Sequence, residues 1–166
     1  CSVGNADVII TGESSSQFGN PLTSGDFNAD SKTDLAVGAR GYSTNTGRVY
    51  LFYNDGSIPT TAATADVIIT GEASSQFGVA MSAGDCSADG RIDLAVGGTQ
   101  YSSYTGRAYI FYNDGSIPTT AASADVIITG EATSNTFGFS LGFGDFNADG
   151  KTDLAVAAGG YSSFAG

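Results

Sequence analysis

The chain has no histidine, only six lysines and arginines together, two cysteines and three prolines. Without histidine, and with no serine or cysteine beside a recognisable base, acid–base and nucleophilic catalysis have no evident seat, so an enzyme is not expected. Positive charge is scarce against 17 acidic residues, and the net charge of −11 argues against nucleic acid or an anionic membrane surface as partner. No apolar run approaches the roughly 20 residues needed to cross a bilayer, so membrane insertion is not expected, and no signal peptide is evident. The chain opens at Cys1 without methionine and is read as a processed product or a piece of something longer. Two cysteines make no disulfide framework. Cys86 is expected as a small buried thiol, with a Cys1–Cys86 bridge or a lipid-modified Cys1 as alternatives.

Helical periodicity is missing too, and what stands in its place is repetition. Apolar content is 41%, with Val, Ile, Ala, Phe and Tyr prominent, and there are 24 glycines, a mixture that favours short strands and tight turns. The stretch GDFNADSKTDLAV begins at Gly25, GDCSADGRIDLAV at Gly84 and GDFNADGKTDLAV at Gly144. Their first aspartates, Asp26, Asp85 and Asp145, lie 59 and 60 residues apart, a period that marks tandem structural units. ADVIITGE recurs at Ala6, Ala65 and Ala124, and FYNDGSIPTTAA at Phe52 and Phe111. One residue is gained where Ser74–Gly78 becomes Thr133–Gly138, which predicts a surface connection there. No single unit has enough large apolar side chains to stand alone, so the copies must stack.

Each period carries four strand signals. In the middle copy these are Phe77 through Met81 to Ala83, Leu94–Val96, Gly106–Tyr112 and, after the Asp114-Gly115 turn, Asp125–Gly130. Small Ala36, Ala95 and Ala155 between Leu and Val suit a sheet covered on both faces. The expected fold is all-β: tandem four-stranded antiparallel blades of a β-propeller, incomplete at about 2.75 blades. Residues 1–166 form one array, with an orphan outer strand in 1–16 (Asp7–Gly12), repeat 1 at 17–75, repeat 2 at 76–134 and a partial repeat 3 at 135–166. Eleven strands follow from this count, and the open edges must be covered by further sequence, by other copies or by stacking.

Nine of the 17 acids fall in the three recurring loops, where unpaired carboxylates would repel one another unless a cation sat among them. Three divalent ions would offset roughly half of the net charge. Counting from the first aspartate, side-chain oxygens stand at positions 1, 3, 5 and 9: Asp26, Asn28, Asp30, Asp34; Asp85, Ser87, Asp89, Asp93; Asp145, Asn147, Asp149, Asp153. Such an all-oxygen, flexible set suits Ca²⁺ better than Mg²⁺, so three Ca²⁺ sites are expected. Lys32, Arg91 and Lys151 at position 7 would contribute backbone carbonyls while their side chains point to solvent. Gly90 and Gly150 at position 6 permit a sharp turn that Ser31 would strain, and Ser87 makes the middle site weakest. The alternative is a set of metal-free Asx turns. An EF-hand is excluded, because position 12 is Val37, Val96 or Val156 rather than glutamate and no helix follows.

Taken together, Phe18-Gly19, Phe77-Gly78 and Phe137-Gly138, the acidic loops, and the Gly-Arg-x-Tyr strands at Gly47 and Gly106 resemble the FG-GAP repeats of integrin α-subunit propellers and their bacterial relatives. The Gly-Ala-Pro element departs from that pattern, reading Gly38–Arg40, Gly97–Thr99 and Ala157–Gly159. The resemblance implies a seven-bladed, calcium-binding propeller outside the cell or on its surface, serving adhesion or ligand binding. Two functions compete. A binding module would use exposed loops and tyrosines such as Tyr42, Tyr101, Tyr104 and Tyr161 to contact a protein or glycan. A structural protein would pair its open blade edges with further copies of itself, giving a calcium-stabilised multimer or filament.

Overall fold

The computed structural model describes residues 7–160. Strands β1 (Leu22–Gly25), β2 (Asp34–Ala39), β3 (Arg48–Phe52) and β4 (Val67–Thr70) form one antiparallel sheet in chain order. Strands β5 (Phe77–Gly84), β6 (Asp93–Gly98), β7 (Arg107–Phe111) and β8 (Val126–Thr129) form a second sheet of the same order. A third sheet holds β9 (Phe137–Gly144) and β10 (Asp153–Ala158) alone. These are propeller blades, two whole and one half-built. Among the described residues no helix is long and apolar enough to cross a membrane.

Successive blades pack face to face: β5 lies on β1, β2 and β3, and β9 lies on β5, β6 and β7. The Phe-Gly pair explains how closely they approach. Phe77 is fully buried, and Gly78 sets its carbonyl oxygen 2.5 Å from where a side chain on Gly38 would start. Leu-Ala-Val runs wholly buried in β6 and almost wholly in β2, as two-sided cover requires, but alternates with exposure in β10, beyond which no further blade is described. The main core contains Val49, Leu51, Ile69, Phe77, Leu94, Val96, Tyr109 and Phe111. Phe77 meets Tyr109 edge-on at 5.3 Å, as Phe18 meets Tyr50 at 5.5 Å.

Among the described residues ten strands form rather than eleven. Within Asp7–Gly12 only Thr11 pairs, in a single bridge to Thr61. The same sequence becomes a strand at β4 and β8 because β3 and β7 lie beside it; among the described residues the first copy has no such neighbour. The Gly/Ser/Tyr-rich stretch between the second and third strands of each whole blade is a tight coil with left-handed backbone at Ser43 and Thr44, repeated at Ser102 and Ser103. The one-residue gain before Phe137 falls between β8 and β9, in a connection, as expected.

Candidate functional site

All three acidic loops are hairpin connections at the same place in their blades, between β1 and β2, β5 and β6, and β9 and β10, so they share one edge of the array. Each is wound by its own aspartates. The position-1 carboxylate accepts two backbone N–H groups: Asp26 from Asp30 and Ser31, Asp85 from Asp89 and Gly90, Asp145 from Asp149 and Gly150, all at 2.8–3.1 Å. At position 5, Asp30, Asp89 and Asp149 each accept the N–H of position 7 at 2.9 Å. Asn28 and Asn147 accept the N–H of position 5, at 3.1 and 2.8 Å. Ser87 accepts no such bond among the described residues. Position 6 turns left-handed as expected, at φ +88° for Gly90 and +82° for Gly150, and Ser31 is forced to +65°. Ala29, Ala88 and Ala148 at position 4 share that strain, a feature no residue-type rule announced.

Position 9 does something different from the other three. Asp34 and Asp93 are buried, and each spends both oxygens tying the loop to the end of the third strand. Asp34 accepts from Phe27 N and Asn54 N, both at 2.8 Å; Asp93 accepts from Cys86 N, Ser87 N and Asn113 N at 2.9–3.0 Å. Asp153 holds only Phe146 N, at 3.1 Å, in the blade that has no described third strand.

Two expectations about position 7 are corrected. Lys32 folds onto Asp30 with Nζ 3.1 Å from Oδ2, and this contact lowers the Asp30 pKa from its ordinary value. Arg91 donates to the Asn113 carbonyl at 3.2 Å. Lys151 is exposed. Cys86, expected to be buried, is half-buried and has no disulfide partner among the described residues; burial first, then Asp93, pushes its thiol pKa up to about 12. Cys1 lies outside the described residues, as does Tyr161.

Among the described residues no three acid, cysteine or histidine side chains converge closely enough to cage a cation. The donor chemistry nevertheless fits one. Positions 1, 3 and 5 are oxygen donors on exposed loops that keep lone pairs free beside the loop N–H bonds they accept. Lys32 is an internal competitor in the first loop alone.

A second constellation was not foreseen. The glutamate closing each of the first two ADVIITG segments reaches the next blade's third strand: Glu13 pairs with Arg48 and accepts from the Tyr50 hydroxyl. Glu72 pairs with Arg107 at 2.8 Å and accepts from Tyr109 at 2.6 Å. Burial, reinforced by the glutamate, raises both tyrosine pKa values. Arg48 and Arg107 also lie over the rings of Tyr42 and Tyr101, at 3.7 and 3.5 Å, and Tyr104 stays half exposed. The available signal was a constant separation: arginine 35 and tyrosine 37 residues after the glutamate, in both copies.

Comparison with known proteins gives two family matches, an FG-GAP repeat over residues 18–52 and an FG-GAP-like repeat over residues 85–156. The chain is 35% identical over 158 residues to phosphatidylinositol-glycan-specific phospholipase D of Bos taurus, covering 86% of this chain and 18% of that protein. It is 32% identical over 161 residues to integrin alpha-7 of Homo sapiens, covering 92% of this chain and 13% of that protein. With integrin alpha-M of Mus musculus it shares 42% identity over 86 residues, 49% of this chain and 8% of that protein. The chain thus spans less than a fifth of the length of these relatives.

Proposed function

The chain is an FG-GAP repeat protein of the integrin α type, and from that premise we propose that it is a calcium-binding, non-catalytic propeller module outside the cell that binds a protein or glycan ligand. Relatives that share these repeats include an enzyme by name and integrin chains, so the repeats themselves go with more than one activity. The observation that carries the calcium reading is the threefold recurrence, in register and on one edge, of oxygen donors at positions 1, 3 and 5. A cation would neutralise carboxylates that loop N–H groups now only partly balance, and would stiffen the edge from which ligand-contacting loops project. In this reading Asp26, Asp30, Asp85, Asp89, Asp145 and Asp149 hold the ion, with Asn28, Ser87, Asn147 and the carbonyls of Lys32, Arg91 and Lys151 completing the shell. Asp34, Asp93 and Asp153 set the loop shape and add what lone pairs remain.

Calorimetric titration of calcium into chelator-treated protein tests it. Binding near three ions per chain, strongly reduced at the third loop by Asp149→Ala and little changed by Lys151→Ala, is the expected result. Equal loss from both changes, or no heat at all, contradicts the assignment. A second reading, self-assembly through open blade faces, is favoured by the exposure of Phe139 at 59% and Phe146 at 64%. Molar mass by light scattering in calcium and after chelation decides it: a multimer that dissociates on chelation supports assembly, and a monomer in both conditions rejects it.

A further inference from the structure

Beyond the ligand and calcium readings, the geometry points to Asp55 and Asp114 as sites of spontaneous isoaspartate formation, a backbone modification on the edge of the array that carries the acidic loops. The sequence holds Asp-Gly pairs at Asp55, Asp89, Asp114 and Asp149. Aspartate before glycine is open to this chemistry because no side chain shields the glycine nitrogen from the carboxyl group. As dipeptides the four are alike. Folding separates them into two kinds.

In the acidic loops both reacting groups are engaged. Gly90 N donates to Asp85 and Gly150 N to Asp145, each at 2.9 Å. The Asp89 and Asp149 carboxylates accept the N–H groups of Arg91 and Lys151, again at 2.9 Å. In the turns that follow β3 and β7 the same groups are loose. Among the described residues Gly56 N and Gly115 N donate to no protein acceptor, and Asp55 receives only a long contact from Ser57 N at 3.4 Å. Both aspartates are exposed, and nothing lies within 4 Å of where a side chain on Gly56 or Gly115 would start. The base of each turn is pinned instead. Asn54 N and Asn113 N donate to Asp34 and Asp93 at 2.8 and 2.9 Å, and Tyr53 N and Tyr112 N donate to Asp66 and Asp125 at 2.8 Å. A turn fixed at its base and open at its tip can rearrange while its blade stays folded.

The glycine nitrogen attacks the aspartate Cγ, and a C–N bond forms as the amide proton and the carboxyl hydroxyl leave as water. Water then adds to the main-chain carbonyl carbon of the five-membered imide and breaks its bond to the glycine nitrogen. The chain now runs through Cγ, and the former main-chain carbonyl becomes a free carboxylate. One water leaves and one returns, so mass and oxidation state are unchanged.

The full chain, incubated in chelator near neutral pH so that no metal shields the loops, is mapped for peptides of unchanged mass that resist an endoprotease cutting before aspartate. Isoaspartate should form at Asp55 and Asp114 roughly tenfold or more faster than at Asp89 and Asp149, whose groups must first leave charge-assisted or loop hydrogen bonds. Gly115→Ala should slow the reaction at Asp114 and leave Asp55 unchanged, with a thermal melt to check its fold. Incubation in denaturant should level the four rates. Equal rates in the folded chain, faster reaction in the acidic loops, or no isoaspartate at Asp55 and Asp114 while a free peptide of residues 111–118 forms it, overturns the proposal. So does a contrast that persists in denaturant, which would trace it to local sequence and not to the fold.

Discussion

Single side chains in this array answer to neighbours far along the chain, and the glutamate contacts show the consequences best. Glu72→Ala should cost about 1.5–3 kcal/mol in denaturant unfolding, because it strands the Tyr109 hydroxyl and the Arg107 guanidinium together. Tyr109 adds a pH signature. Its pKa is raised above the ordinary value of 10, so the folded chain holds that proton more tightly than the unfolded one. The stabilisation is fully present below pH 10 and lost as pH rises above it, and Tyr109→Phe should flatten that alkaline fall when melting is followed against pH. Within the first loop, Lys32→Ala should tighten calcium binding by removing the internal cation on Asp30, while the same change at Lys151 should not; calorimetry separates the two. The loop aspartates were legible in sequence because their spacing is local. Glu72 was not, since nothing within its own strand says what lies 35 residues on.

At the scale of the element, the loops and the blade contacts make distinct demands. Asp93→Ala removes the acceptor for three backbone N–H groups at a fully buried position and should destabilise by about 3 kcal/mol or more, even in chelator. Asp89→Ala should matter chiefly when calcium is present. Melts of both variants with and without calcium distinguish strut from ligand, and an Asp93 effect seen only with calcium would contradict the strut. Two glycines at equally unusual dihedrals provide a second contrast. A side chain on Gly106 would begin 2.1 Å from the Phe137 carbonyl oxygen, so Gly106→Ala should detach the third sheet, visible as fast hydrogen exchange in β9 and β10. Gly115, with nothing within 4 Å, should tolerate alanine at about 1–2 kcal/mol of backbone strain. The strand order was legible from the four signals per period, but the fate of Asp7–Gly12 was not: an outer strand exists only where a third strand lies beside it.

For the whole molecule, the proposed calcium ions would act as fasteners along one edge. At dissociation constants of about 10⁻⁴–10⁻³ M, millimolar calcium would add roughly 0.4–1.4 kcal/mol per loop by mass action, so chelation should lower the melting temperature by an amount that three loops share. A melting temperature indifferent to chelator would leave the loops as turns alone. Among the described residues the third blade has only β9 and β10, and β10 alternates between partly buried and exposed positions.

Repetition, strand order, all-β class and the placement of oxygen donors follow from the sequence by itself, since they rest on spacing and on residue types that act over a few positions. Only the tertiary structure decided what identical residues do in different surroundings. Phe27 is buried at 1% exposure under the next blade's Ile92, while Phe146, in the same motif, stands 64% exposed where no further blade is described. Asp34 and Asp93 are structural ties because a third strand offers them a backbone N–H, and Asp153 is half-free because none is described beside it. Burial and hydrogen-bond satisfaction belong to the neighbours a residue acquires on folding, and in a stacked array those neighbours depend on which copies are present on either side.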